Sequence, residues 1–202
     1  MSEGNSQGKK HALLERLRIQ SWKEALWTVI FSFIGAVIYL VVALIPMPYT
    51  MVSLFKLGLA PALAVIPAAG AMRGPIAGLL TGYIGEVVHV LIITGGIVTA
   101  TLPALAYGIM GFVVGLARYD FARGRSLGKL SLLSALGFVM AAVLILAIGL
   151  MVEHSGTLAT IGFVFLPLVT VGLPSVVLLA PVFGRIGHLA LKGLNLGGIV
   201  SR

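Results

Sequence analysis

The chain has 202 residues, of which 59% are hydrophobic and only 10% charged, and its mean hydropathy is +1.10. A water-facing surface normally carries about 25% charged residues, so this composition excludes an ordinary soluble domain and points to an integral membrane protein. The net charge is +8 and there is no cysteine, which excludes disulfide frameworks, thiolate metal sites and cysteine nucleophiles.

Residues 1–10 are rich in Ser, Gly and Lys, the composition of a disordered tail. Residues 11–23 mix Leu13, Leu14 and Leu17 with Arg16, Arg18 and Lys23. They read either as a short amphipathic helix on the membrane surface or as a polar lead-in to the first span. The apolar run that follows is too long for the core of a cleaved signal, so the first span is expected to be retained.

Six apolar runs follow, each near the roughly 20 residues that a bilayer core requires. They cover about 24–45, 52–71, 74–94, 98–117, 130–152 and 158–183. The domain plan is therefore a cytoplasmic segment 1–23, a transmembrane domain 24–183 and a basic cytoplasmic tail 184–202. The expected fold class is all-α, a bundle of six transmembrane helices. The runs are continuous rather than alternating, which excludes a β-barrel. With both termini placed in the cytoplasm, all 14 basic residues except Lys56 fall in inside segments or tails. That asymmetry matches the rule that positive charge stays inside.

The third span carries the chemistry. Gly70, Gly74, Gly78 and Gly82 recur every four residues, a spacing that lets helix backbones approach closely, and Gly108, Gly111 and Gly115 repeat the device in the fourth span. Beyond these glycines, Glu86 is the only acidic residue deep in any span, and His89 lies one turn further on. Tyr83, one turn before Glu86, completes a polar stripe on nearly the same face. Ionisable groups in lipid are expensive and belong on an interior or wet surface, where they mark binding sites by default. The competing reading is a Glu86–His89 pair that satisfies itself and holds two helices together. A single Glu and His are too few for a metal site. Lys56, at the outer start of the second span, reads either as a side chain reaching the headgroups or as a partner for Glu86 or an anionic ligand group. Tyr49, in the Pro-stiffened loop before it, reads as a pocket cover or as part of a connector. Thr28, Ser32 and Ala36 form a smooth face on the first span, suited to another helix of this chain or of a partner. No P-loop, HExxH or paired nucleophile and base is present. No catalytic role and no cofactor are expected, and ATP-driven work would need another chain.

Leu57-Gly-Leu-Ala-Pro61, followed by Gly74-Pro75-x-x-Gly78-x-x-x-Gly82-x-x-x-Glu86, resembles the run that opens the third helix of the substrate-binding S components of energy-coupling-factor (ECF) vitamin transporters. The resemblance covers the whole chain in topology and about residues 57–89 in pattern. It implies a plasma-membrane protein that binds a vitamin-like small molecule in an outward-facing cavity. The implied partners are a transmembrane T component and two ABC-type ATPases, with no nucleic acid. Carried over on the resemblance, Glu86, His89, Tyr83, Lys56 and Tyr49 are the candidate ligand contacts. The nearest equivalent of the family's Ala-x-x-x-Ala docking face is Ser32-x-x-x-Ala36, extended by Thr28. The alternatives are a membrane enzyme acting on a lipid or isoprenoid, and a structural subunit of a larger membrane complex.

Overall fold

The computed structural model describes residues 22–45, 50–52, 55–57, 59–96, 101–121, 124–152 and 160–193. In chain order these form α1 (Trp22–Leu44), β1 (Thr50–Val52), β2 (Phe55–Leu57), α2 (Pro61–Arg73), α3 (Pro75–Thr94), α4 (Thr101–Gly115) and α5 (Gly124–Val152). A π-helical turn, Thr160–Phe165, then leads directly into α6 (Leu166–Gly193). The bundle is helical, and α1, α3, α5 and α6 are each long and apolar enough to cross a membrane. The remaining helices are shorter. With 13 and 15 residues, α2 and α4 reach roughly 20 and 22 Å at ~1.5 Å per residue, against a hydrocarbon core of ~30 Å.

Proline and glycine set the boundaries. Pro61 and Pro75 occupy first turns, where a missing N–H costs nothing. Gly74 joins α2 to α3 at φ 115°, a backbone angle that side chains other than glycine rarely adopt. Gly95 closes α3 in the left-handed conformation, its N–H donating to the Leu91 carbonyl at 2.9 Å.

The expected second span is only partly helical. A helix from about residue 52 is replaced by an antiparallel strand pair, Thr50 opposite Leu57, Met51 opposite Lys56 and Val52 opposite Phe55, and the helix begins at Pro61. Thr, Val and Phe suit a pleated strand, while hydropathy alone does not separate a short apolar strand from the start of a helix. At the other end of the chain, α6 continues well past the expected end of the sixth span at 183 and includes Arg185, His188 and Lys192.

Contacts between the helices show that successive ones run in opposite directions. The Arg73 guanidinium at the end of α2 donates to the Glu24 carbonyl at the start of α1, at 3.2 Å. Gly74, Gly78 and Gly82 climb α3 as Gly115, Gly111 and Tyr107 descend α4. On α6, Gly172 meets Phe138 of α5, and Gly184 meets Leu130.

One end of the bundle gathers the basic residues. There Arg185 Nη1 donates to the Phe121 carbonyl at 3.4 Å, Lys129 Nζ donates to the Arg118 carbonyl at 3.3 Å, and the His188 ring stacks on Phe121. The strand pair and Glu86 mark the other end.

Residue sizes are distributed unlike those of a soluble core. The interior is largely small, with Ala64, Ala77, Ala104, Ala141 and Ala180 fully buried. Large apolar side chains such as Phe33, Val37, Leu132, Leu136 and Leu178 point outward. In lipid there is no hydrophobic gain from burying a leucine, so packing favours residues that bring backbones together. The two glycine ladders do this. A Cβ on Gly78 would lie 2.3 Å from the Gly111 carbonyl oxygen, and one on Gly111 would lie 2.3 Å from the Gly78 oxygen.

Candidate functional site

The site is built where α1, α3 and α4 meet the start of α2. Glu86 is 8% exposed on α3, and its side chain reaches across to α1, where the Tyr39 hydroxyl donates to Oε2. His89 Nδ1 lies 3.2 Å from the same oxygen. The Tyr39 and His89 rings meet edge to face with centroids 6.1 Å apart. Both protein contacts therefore converge on Oε2, and Oε1 is engaged by neither.

Glycine makes this approach possible. A Cβ on Gly85 would sit 2.7 Å from Tyr39 Cδ1, so the root of the tyrosine ring packs against a position with no side chain. One turn lower, a Cβ on Gly35 of α1 would sit 2.8 Å from the Thr81 hydroxyl. The α1 face that carries Thr28, Ser32 and Ala36 is the surface laid on α3, and all three residues are buried within the chain. Of the two uses foreseen for that face, the structure shows the internal one.

Beside Glu86 lies a cavity of about 180 Å³, lined by Tyr39, Val42, Ala43, Ala60, Pro61, Ala62, Leu63, Glu86, His89 and Tyr107. Its two kinds of wall are distinct. Three rings, Tyr39, His89 and Tyr107, flank the carboxyl group, and the remaining walls are aliphatic. The α2 side is held in place by Ser175 of α6. The Ala60 N–H donates to Ser175 Oγ at 2.6 Å, and that hydroxyl donates in turn to the Val171 carbonyl at 2.5 Å. This pairing satisfies a backbone donor that would otherwise be left open just before the helix.

The candidate residues from sequence separate here. Glu86 and His89 come together and line the cavity. Tyr83 does not line it, and its Cβ instead faces Gly108 of α4. Lys56 lies on β2 opposite Met51, with only its backbone described. Tyr49 lies outside the described residues, as do residues 1–21 and His154.

Sequence reasoning missed Tyr39, Tyr107 and Ser175. The signal for Tyr39 was present, because it continues the small-residue stripe of Thr28, Ser32 and Ala36 by one more turn. Tyr107 and Ser175 carried no comparable pattern.

Among the described residues no three His, Asp or Glu side chains gather as metal ligands would. The arrangement can accept hydrogen bonds from, and place negative charge against, a small guest. No protein-family model, curated protein or solved structure matches this chain.

Proposed function

We propose that this protein is a multi-pass plasma-membrane protein that binds a vitamin-like small molecule from outside. In this reading it serves as the substrate-binding component of an ATP-driven uptake system of the ECF type. The observation that carries the reading is a buried carboxyl group, Glu86, the only one among the described residues, lining a cavity at the end of the bundle opposite the basic residues. An ionisable group in lipid is retained at a cost and is by default functional. Its two protein contacts occupy one oxygen, and the cavity lies beside it.

The proposed topology has six spans with both termini cytoplasmic. It is supported by the alternating helix directions and by the collection of Arg73, Arg118, Lys129 and Arg185 at one end, the pattern expected of a cytoplasmic face. The short α2 crosses as part of a composite with the strand pair above it. It is shielded on several sides by other helices, which is how irregular backbone is tolerated at membrane depth.

Energy must come from other chains, a T component and two cassette ATPases. Affinity purification in mild detergent tests the reading. The expected result is co-purification of a transmembrane partner with ATPase subunits, and a small molecule recovered by mass spectrometry. A chain that purifies alone and empty from cells grown with a full vitamin supply would refute it.

A further inference from the structure

The cavity beside Glu86 constrains what the guest can be. We infer that the ligand is a planar single-ring molecule that presents a cationic, amidine-like N–H to Glu86, and this rests on the binding role proposed above.

Size comes first. A cavity of about 150 Å³ in an apolar protein core holds a benzene ring, whereas sites for drug-sized ligands span ~300–1,000 Å³. At about 180 Å³ this site fits one ring with a small substituent better than a fused two- or three-ring system.

Shape and charge come next. Tyr39, His89 and Tyr107 bring three aromatic groups to one cavity. Ring faces and edges suit a flat guest, and the faces attract a delocalised cation. An anionic group on the ligand would be set against the Glu86 carboxyl group that lines the cavity. The Tyr39 hydroxyl and His89 Nδ1 both address Oε2, leaving Oε1 as the acceptor for one ligand N–H. The aliphatic patch of Val42, Ala43, Ala62 and Leu63 takes the rest of the ring.

A set of isosteres tests this on the purified full-length protein in detergent at neutral pH. Benzamidine, benzamide and benzoate share a shape and differ in charge, and 2-naphthamidine adds a ring. Binding is read by calorimetry and by thermal shift. Benzamidine is expected to bind at least about tenfold more tightly than benzamide, as a charge-assisted bond outweighs a neutral one. Benzoate is expected to show no binding, and 2-naphthamidine to fall below benzamidine. Glu86→Gln should lower benzamidine affinity by about tenfold or more and leave benzamide little changed. The comparison of probes on the unaltered chain stands even if that variant fails to fold. The inference is overturned if benzoate matches benzamidine, if 2-naphthamidine does, or if all four probes are silent. Co-purifying ATPase subunits separate the two levels: their presence alongside a preference for benzoate would sink the ligand class and leave the transport reading standing.

Discussion

Gly85 and Tyr39 offer the sharpest test of how the site is assembled. A methyl group at position 85 would lie 2.7 Å from Tyr39 Cδ1 and 3.2 Å from Cγ. Ordinary contact begins near 3.4 Å, so in Gly85→Ala the ring must retreat by about 0.7 Å, a local overpacking of the kind that costs about 1–3 kcal/mol. The clash is with the root of the ring, and a rotation of its far end does not relieve it. The retreat carries the hydroxyl away from Glu86. Hydrogen bonds between membrane helices average only ~0.6 kcal/mol and reach ~1.7 kcal/mol, and a buried carboxyl acceptor places this one toward the upper end, about 1.5 kcal/mol.

Tyr39→Phe should therefore cost about 1.5 kcal/mol, and Gly85→Ala about 3 kcal/mol, packing and hydrogen bond together. The double variant should cost about 3 kcal/mol rather than the sum, because the hydrogen bond is lost only once, leaving a coupling of about 1.5 kcal/mol. The assay is reversible unfolding in mixed micelles, titrated with a denaturing detergent and followed by tryptophan fluorescence from Trp22 and Trp27. Strict additivity of the two changes would show that the ring does not carry its hydroxyl away, and the account of the site would fail.

Three further outcomes are expected. Gly78→Ala forces α3 and α4 apart against backbone at 2.3 Å and should destabilise by about 3 kcal/mol or more. Gly128→Ala, with nothing within 4 Å, should be neutral or stabilise by up to about 1 kcal/mol, and equal effects in the same unfolding titration would contradict the ladder packing. Ser175→Ala strips the Ala60 N–H of its partner and should cost about 1–3 kcal/mol, with Ser175→Thr recovering part of the loss; an unchanged midpoint for the alanine variant would mean that the bond is not formed. Because the chain has no cysteine, single cysteines report topology directly. Gly96→Cys should react with a membrane-impermeant maleimide on intact cells and Asp120→Cys only after lysis, and the reverse pattern would overturn the proposed orientation.

The sequence was most legible where composition and punctuation agree. The ends of α1 and α3 follow from an apolar run closed by Pro46 in one case and by Pro75 and Gly95 in the other. The meeting of α3 with α4 follows from glycines at matching intervals. The strand pair was hidden because Val52-Ser-Leu-Phe55 is as apolar as a helix start, and only pairing with a neighbour decides its form. The Glu86–His89 half of the site was readable because both residues sit on one helix, a turn apart. Tyr39 was not, because its partner lies 47 positions away and only the crossing of α1 over Gly85 brings the two together. Ser175 was hidden for the same reason: its role is set by Ala60 on another element.

A groove separates α1 from α6. The two helices face each other across a cleft of about 320 Å³, floored by Val65, Ala68, Ala69 and Met72 of α2. By contrast α3 and α4 touch backbone to backbone. Val42 lines both this cleft and the cavity beside Glu86. A shift of Val42 at the cleft would therefore be felt at the wall of the site, and a ligand in the cavity would press on the same side chain.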